Sequence, residues 1–404
     1  MHLSNRARLA PASPIRKLVP LADQAKSRGI RVFHLNIGQP DIPTPPVMWE
    51  ALAQANIEVL SYSPSDGIAE FRKALVQYYH RHELPVKPDQ LVVTTAGSEA
   101  ILFALAAVCD PGDEVLVSEP FYANYSGYAA LLGLRVTPVT ARPEDGYALP
   151  PQAILEKKIG PRTKAILFCN PCNPTGRVYK RQEIETLVAL ARERNLTLIS
   201  DEVYREFCYA SDKPISILSF PEIAERAVMV DSLSKRFSVC GARIGCLVSR
   251  NPELIAAAMK FAQARLSPPT LGQLMGTAAL QLPPSYFDGI IEEYRRRRDV
   301  VMEELRKMPG VVCHEPQGAF YVMAKLPVED AEAFVRWLLT DFQVDGETTM
   351  MAPGDGFYAT PGAGTSEVRI AYVLKEQKLR RAMNVVSQGL ELYAEARIPS
   401  DQTR

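Results

Sequence analysis

The chain has 404 residues, of which 47% are hydrophobic and 23% charged, a balance typical of a globular enzyme of two or three domains. Lysine plus arginine and aspartate plus glutamate each number 46, so the net charge is zero, whereas nucleic-acid binders usually carry a basic excess. No apolar run approaches the length of a membrane span, and seven cysteines at scattered spacing argue against a disulfide framework. We therefore expect a cytoplasmic enzyme that binds neither nucleic acid nor membrane.

The first segment of the chain is rich in arginine but is interrupted by prolines. Pro11, Pro14 and Pro20 punctuate it and no apolar signal core follows, so we interpret it as an arm rather than a targeting peptide. The proline-rich segment 40–46 predicts a connection to the next domain. We expect residues 1–46 to form this arm together with part of a smaller domain.

From about residue 90, short apolar runs alternate with helical stretches. The runs predicted as strands are Leu91–Thr95, Glu114–Ser118, Ala165–Cys169, Leu196–Ser200, Ala227–Val230 and Ile244–Val248. The helices predicted between them include Glu99–Val108, Arg181–Arg194 and Pro252–Ala264. Such alternation is typical of an α/β fold whose mostly parallel sheet is flanked by helices. We expect residues 47–285 to form this large domain.

After about residue 285 the pattern changes. Apolar residues at helical spacing run from Phe287 to Leu305, and we interpret the Arg295–Arg298 cluster inside this helix as a solvated face. The elements expected next are Gly318–Ala324, the helix Ala331–Thr340 and a strand that ends in Arg369-Ile-Ala-Tyr. Residues 286–404 are therefore predicted to form a smaller α+β domain.

Three of the predicted strands end in polar motifs. The motifs are Asn170-Pro-Cys-Asn173-Pro-Thr-Gly, Asp201-Glu-Val-Tyr204 and Asp231-Ser232-Leu-Ser234-Lys235. Because ligands of open α/β sheets bind beyond the carboxyl ends of the strands, these side chains could converge on one site. Cys169 and Cys172 could form a redox pair, but they interleave with the first motif, which favours a structural role.

The order of these motifs resembles the class I/II aminotransferases, pyridoxal-phosphate enzymes of fold type I. The segment from Ser232 to Gly245, Ser-Leu-Ser-Lys-Arg-Phe-Ser-Val-Cys-Gly-Ala-Arg-Ile-Gly, is similar to the segment by which that family attaches its cofactor. The other two motifs stand upstream in matching places, and the resemblance extends from the arm to Arg369. It implies pyridoxal 5′-phosphate as cofactor, no metal, and transfer of amino groups between L-amino acids and 2-oxo acids.

The resemblance assigns the chemistry to two residues. Lys235 would bind the cofactor's aldehyde carbon and carry the proton of the substrate Cα, whereas most lysines are merely surface residues. Asp201 would face the pyridine nitrogen and keep it protonated, or else it only caps a strand end.

Further cofactor contacts are implied by the same resemblance. The phosphate is expected to be held by hydroxyls, a guanidinium and the start of a helix, namely Gly97, Ser98, Ser232, Ser234 and Arg243. Tyr122 would stack on the ring, with the adjacent Phe121 as its rival, while Tyr204 and Asn173 would contact the phenolic oxygen. Tyr62 would reach the phosphate of a neighbouring subunit, which implies a homodimer with shared sites. Cis peptide bonds are expected at Glu119–Pro120 and Asn173–Pro174.

Substrate recognition is less determined by the sequence. The resemblance implies that Arg369, Asn173 and Gly38 hold the α-carboxylate. Aspartate or glutamate with 2-oxoglutarate is the leading prediction, and alanine, aromatic or branched-chain amino acids are the alternative. Arg265 lies close to where relatives place a partner-subunit arginine for the distal carboxylate, but it could instead cap a helix or face solvent. The tract 351–364 could shape the side-chain pocket.

Two other functions share the scaffold. A pyridoxal-phosphate lyase or decarboxylase would keep the same cofactor ligands. A non-catalytic sensor would need a helix-turn-helix module before the arm, and we expect none because the arm begins within the first twenty residues.

Overall fold

The computed structural model describes residues 2–209 and 213–396. The α-helices are α1 Asn5–Leu9, α2 Val19–Ser27, α3 Pro46–Gln54, α4 Ala69–Arg81, α5 Ala96–Val108, α6 Asn124–Leu132, α7 Gln152–Lys158, α8 Arg181–Glu193, α9 Leu233–Arg236, α10 Pro252–Arg265, α11 Thr270–Ala279, α12 Tyr286–Lys307, α13 Ala331–Thr340 and α14 Glu376–Ala396. The strands are β1 Arg31–His34, β2 Leu91–Thr94, β3 Glu114–Glu119, β4 Arg135–Thr140, β5 Thr163–Cys169, β6 Thr197–Asp201, β7 Ala227–Ser232, β8 Gly245–Ser249, β9 Val312–Cys313, β10 Tyr321–Lys325, β11 Glu347–Met350, β12 Ala352–Pro353 and β13 Glu367–Ala371. None of these described helices is long and apolar enough to cross a membrane.

The central sheet has seven strands in the order β2-β8-β7-β6-β5-β3-β4, and only β8 runs antiparallel to its neighbours. Its strands carry apolar residues on both faces because helices cover both: Val115 and Val117 pack into one hydrophobic cluster and Leu116 into the other. The predicted α/β fold with a mostly parallel sheet is confirmed. The strand β4 was not predicted, because its side chains are only partly buried and Pro138 interrupts the apolar pattern.

A second sheet, with the order β12-β13-β10-β9, is antiparallel and is built from residues after 310. It has its own hydrophobic cluster, to which α12, α13 and α14 contribute. The N-terminal segment joins this part of the molecule, since β1 pairs in parallel with β11. The proposed division into residues 1–46, 47–285 and 286–404 stays a prediction, and positions 397–404 lie outside the described residues.

The arginine cluster in α12 differs from its predicted solvated face. Arg296 is exposed, but Arg297 is buried, pairs with Asp41 at 2.6 Å and donates a hydrogen bond to the carbonyl of Val373. The prediction was wrong for Arg297 because helical spacing places it on the same face as buried Tyr294. Its charge is tolerated there because it is paired and hydrogen-bonded.

Candidate active site

A cavity of about 630 Å³ lies beyond the carboxyl ends of β5, β6 and β7 and beside the first turn of α5. All but one of the predicted site residues line it: Gly38, Gly97, Ser98, Tyr122, Asn173, Asp201, Tyr204, Ser232, Ser234, Lys235, Arg243 and Arg369. Because adjacent parallel strands end at the same edge, the three polar motifs meet there as expected. The cavity collects residues that are more than 300 positions apart in the chain, from Gly38 to Arg369.

Asp201 ends strand β6 as a buried carboxylate. Its Oδ2 accepts a hydrogen bond of 2.8 Å from the Tyr125 hydroxyl, and its Oδ1 accepts one from the amide of Val203 at 3.3 Å. Burial raises the pKa of Asp201 to about 6 despite these hydrogen bonds. No ion pair joins it to a cation in the part of the chain that the structure describes. The carboxylate is therefore held in place and left open to a positively charged partner.

Lys235 lies on the short helix α9 that follows strand β7. Its Nζ donates a hydrogen bond of 2.9 Å to the carbonyl of Gly38 and lies 3.8 Å from the Sγ of Cys240. A Cβ added to Gly38 would lie 1.8 Å from the Tyr321 hydroxyl, so only glycine lets this backbone approach. The amine therefore faces the cavity without a carboxylate to neutralise it within the described residues.

One end of the cavity is a cluster of hydrogen-bond donors. The hydroxyls of Ser232 and Ser234 are 2.9 Å apart, and Gly97 belongs to the first turn of α5, which no side chain caps. Arg243 lines the same space with a left-handed backbone (φ 53°), donating through Nη1 to the carbonyl of Cys240. Free amides at a helix start, hydroxyls and a guanidinium are the groups that proteins use to hold phosphate.

Arg369 lies at the other end of the cavity and is 1% exposed. It donates through Nη1 to the side chain of Asn173 at 2.9 Å and through Nη2 to the carbonyl of Asn36 at 2.5 Å. The rings of Tyr321 and Phe357 lie 4.4 and 4.9 Å from its guanidinium carbon. Its Nε has no hydrogen-bond partner, and burial lowers its pKa because no carboxylate in the described residues pairs with it. A buried guanidinium in this condition favours an anionic ligand.

Tyrosine side chains complete the walls. Tyr122 lines the cavity, whereas its rival Phe121 is buried in the hydrophobic cluster beneath it. The hydroxyl of Tyr204 lies 2.8 Å from that of Tyr321, and burial raises the pKa of Tyr204. The Tyr204 hydroxyl is therefore protonated at neutral pH and can donate a hydrogen bond.

Tyr62 is the predicted site residue that the structure does not bring to the cavity. It is 78% exposed and does not line the cavity. The sequence prediction was that Tyr62 contacts the cofactor phosphate in the site of a second subunit. That contact remains a prediction.

Arg265 also lies away from the cavity. Its guanidinium forms an ion pair with Glu99 and donates to the carbonyls of Ser65 and Val93 at 3.3 and 3.0 Å. Its Nε and Nη1 have no hydrogen-bond partner, but it does not line this cavity. Binding of a substrate carboxylate in the site of a second subunit stays a prediction.

Smaller predictions at the site have clear outcomes. The expected cis peptide bonds at Glu119–Pro120 and Asn173–Pro174 are present, together with one at Asn170–Pro171 that was not predicted. Cys169 and Cys172 are buried thiols, and burial raises the pKa of both, so they lack the character of a reactive pair.

Several residues at the site were missed in the sequence. Tyr125 and Tyr321 were hidden because a helix and a strand both accept tyrosine as an ordinary core residue. Phe357, against Arg369, lies in the tract 351–364, which was noted only for its length. Arg16 lines the cavity from the arm, which was interpreted only as an arginine-rich segment interrupted by prolines.

These groups fit pyridoxal 5′-phosphate. The donor cluster around Ser232 suits its phosphate, Lys235 its aldehyde carbon and Asp201 its ring nitrogen. The unpartnered Nε of Arg369 leaves room for the carboxylate of a second, smaller ligand.

Comparison with known proteins agrees with this site. The family model described as aminotransferase class I and II matches residues 30–386. An aspartate aminotransferase of Thermotoga maritima is 34% identical over 384 residues, which cover 93% of this chain and 97% of that relative.

Solved structures are similar over nearly the whole chain. The aspartate aminotransferase of Thermus thermophilus with maleate has a TM-score of 0.85 and 30% identity, covering 96% of this chain and 100% of that one. An alanine aminotransferase of Pyrococcus furiosus has a TM-score of 0.88 and 30% identity, covering 97% and 100%. The similarity therefore extends to proteins named for two different amino acids.

Proposed function

Because the chain belongs to the class I and II aminotransferases, which transaminate with pyridoxal 5′-phosphate, we propose that it transfers the amino group of aspartate or glutamate, with 2-oxoglutarate as acceptor. The observation that carries transamination is Arg369, a buried guanidinium with an unpartnered Nε in the same cavity as Lys235. A cation at that place binds the carboxylate that every amino acid and 2-oxo acid shares. The choice of a dicarboxylate is supported by relatives named aspartate aminotransferase.

The cofactor would be held at its phosphate, its ring face, its ring nitrogen and its phenolic oxygen. Gly97, Ser98, Ser232, Ser234 and Arg243 would bind its phosphate, and Tyr122 would cover its ring. When bound, pyridoxal 5′-phosphate supplies an aldehyde carbon for the amine and a ring that takes up the electrons of the broken Cα–H bond. Asp201 would hold a proton on the ring nitrogen, because a buried carboxylate is stabilised by a cation beside it. Tyr204 and Asn173 would donate hydrogen bonds to the phenolic oxygen.

The remaining steps belong to side chains that face the substrate. Arg369 and Asn173 would hold the α-carboxylate beside the Gly38 backbone, which fixes the orientation of the Cα–H bond. Lys235 would remove the Cα proton as a general base and deliver it to the aldehyde carbon of the cofactor as a general acid. Two half-reactions that use the same groups predict ping-pong kinetics.

A panel of amino donors tests the substrate. We expect aspartate to be a better donor to 2-oxoglutarate than alanine, leucine and phenylalanine, measured as kcat/KM. Glutamate, whose transfer to 2-oxoglutarate gives no net reaction, should be a good donor to pyruvate. Poor turnover of both dicarboxylates would overturn the proposal while leaving the family intact.

A second candidate is transamination of alanine or of larger apolar amino acids. Ile15, Ile37 and Ile101 line the cavity and offer apolar contacts to an uncharged side chain. The structural similarity to an alanine aminotransferase points the same way. The donor panel separates the two candidates, since an apolar pocket favours leucine or alanine over aspartate.

We also propose that the enzyme is a homodimer. Serine hydrogen bonds to the carbonyls of Leu266 and Pro268 bring the segments 61–65 and 266–270 together. Large apolar side chains are exposed on and around these segments: Trp49, Val59, Leu60, Tyr62, Leu266 and Leu271. An exposed apolar patch of this kind marks an interaction surface, and a two-fold pair would cover it.

Mixed subunits test the shared site. Tyr62→Ala and Lys235→Ala should each impair activity. Mixing the two inactive variants should restore activity, because one site of the hybrid dimer receives both intact residues. A monomer by light scattering, or no recovery on mixing under conditions that exchange subunits, would contradict the proposal.

We propose the cytoplasm as the location. The charge balance and the buried thiols of Cys169 and Cys172 support it. Cell fractionation with an antibody against the native protein would test this, and recovery outside the cytoplasm would contradict it.

A further inference from the structure

One cationic side chain of the cavity has no part in the proposed function. Among the described residues that line it, the cationic side chains are Arg16, Lys235, Arg243 and Arg369, and the single carboxylate is Asp201. In the proposed function, Lys235, Arg243 and Arg369 serve the aldehyde carbon, the phosphate and the α-carboxylate. Arg16 has no such role, and its guanidinium has no hydrogen bond or ion pair within the described residues.

The arm is fixed on both sides of Arg16. The Asn36 side chain donates a hydrogen bond of 2.7 Å to the carbonyl of Ile15. Pro14 packs on Gly356 so closely that a Cβ there would lie 2.1 Å from the proline ring. On the other side, Lys17 pairs with Glu332 and, at 3.4 Å, with Asp355. The backbone that carries Arg16 is therefore anchored, although its side chain is exposed at the cavity.

We propose that Arg16 binds the distal carboxylate of dicarboxylic substrates and so determines the specificity of the enzyme. The inference rests on the proposed transamination, because it presumes that Arg369 takes the α-carboxylate. A guanidinium pairs with carboxylates in a planar, bidentate geometry, which an ammonium cannot reproduce. The rival Arg265 already pairs with Glu99 and two carbonyls.

The anchoring explains why one exposed arginine can discriminate. A side chain on a mobile terminus loses much of its binding energy to ordering, whereas this backbone is held by Asn36, Gly356 and Glu332 before the substrate arrives. The carboxylate of aspartate would then replace water on Arg16, while alanine would leave that water in place.

The test compares Arg16→Gln and Arg16→Lys with wild type. We expect Arg16→Gln to lower kcat/KM for aspartate and glutamate about 10- to 100-fold, the effect of one charge-assisted hydrogen bond, and to leave alanine within about twofold. Arg16→Lys should recover part of the loss. Arg8→Ala is the matched control, because Arg8 is an exposed arginine of the same arm that does not line the cavity.

Binding without turnover gives an independent measurement. Maleate is a dicarboxylate that carries no amino group. Calorimetry should give a dissociation constant for maleate that is about 10- to 100-fold larger for Arg16→Gln than for wild type. Propionate should bind wild type and Arg16→Gln equally. If Arg16→Gln binds maleate as tightly as wild type does, and wild type still prefers aspartate, the role of Arg16 is overturned but the proposed substrate is not. If wild type itself prefers alanine, the proposed substrate fails instead. A uniform loss for all donors would also overturn the specificity role, since it would show a general effect on the site.

Discussion

The floor and the mouth of the active site are built in different ways. The floor comprises the strand-end residues, represented by Asp201, Ser232 and Lys235, and its two strand residues are almost fully buried. The mouth comprises the arm around Arg16 and the tract 351–364. The arm is held by contacts such as that of Asn36 with Ile15, and the tract includes strand β12 of the second sheet. The sheet register fixes the floor, so a change there alters the chemistry for every substrate. Side chains of the mouth can change without disturbing the central sheet, so selectivity for the amino donor can vary there.

The sharpest test of the floor is Lys235→Ala. We expect it to abolish transamination and the visible absorption of the attached cofactor, because no other described lysine lines the cavity. The exposed Lys260→Ala should behave like wild type. A Lys235→Ala variant with half the normal activity would refute the assignment of the floor.

Asp201→Asn should bind the cofactor but lose activity about 100-fold or more with every amino donor. Asparagine can still accept the Tyr125 hydrogen bond, so the fold should persist, but it carries no charge to stabilise a protonated ring. Steady-state kinetics with aspartate and alanine measure the loss. A loss for one donor only would place Asp201 with the mouth, and a change under threefold would make it a structural cap.

The raised pKa of Asp201 also predicts a pH effect on the cofactor-free protein. The folded-state pKa is about 6, and the unfolded value is near 3.9, so burial favours the neutral acid. The stability from this group is complete below about pH 4 and is lost as the pH rises through 6. From pH 4 to 7, cofactor-free wild type should lose about 2 to 3 kcal/mol of unfolding free energy relative to Asp201→Asn. Urea unfolding of both proteins measures this difference. The same difference in unfolding free energy between wild type and Asp201→Asn at pH 4 and at pH 7 would contradict the prediction.

Arg265→Ala should have the smallest effect. We expect it to lower the free energy of unfolding by about 1 to 2 kcal/mol, since the carbonyls of Ser65 and Val93 lose a donor. The ratio of aspartate to alanine turnover should stay unchanged, with Arg8→Ala as control. A tenfold fall in that ratio would return Arg265 to the substrate site, through a partner subunit.

The same contrast separates what the sequence predicted from what it could not. The floor was predicted because buried strands leave a run of apolar residues, and their polar ends, such as Asp201, then stand out. The approach of Tyr125 and Tyr321 to this floor was not visible, because a core tyrosine and a site tyrosine follow the same pattern. At the mouth, Arg16 is positioned by contacts with residues 20 to 340 positions away, which no local pattern records.

The positions of charged side chains were harder to predict from the sequence than those of apolar side chains. Arg297 was assigned to a solvated face, but its pairing with Asp41 across the fold allows it to be buried. Arg265 was considered for a substrate role, and its partner Glu99 lies on another helix. A long cationic side chain can reach many partners, so its position depends on tertiary structure.

The lone antiparallel strand β8 has a consequence for the geometry of the floor. It pairs with β7 so that Ser232 lies opposite Gly245, and the chain between them carries both Lys235 and Arg243. A Cβ on Gly245 would lie 2.5 Å from the carbonyl of Asp231, so the two strands meet without a gap. Lys235 and Arg243, which would bind opposite ends of the cofactor, thus lie on one loop whose ends are joined by hydrogen bonds between β7 and β8. A slip of one residue between β7 and β8 would turn the following side chains to the other face of the sheet. The pairing register of these two strands therefore sets the distance between Lys235 and Arg243, and with it the length of ligand that fits between them.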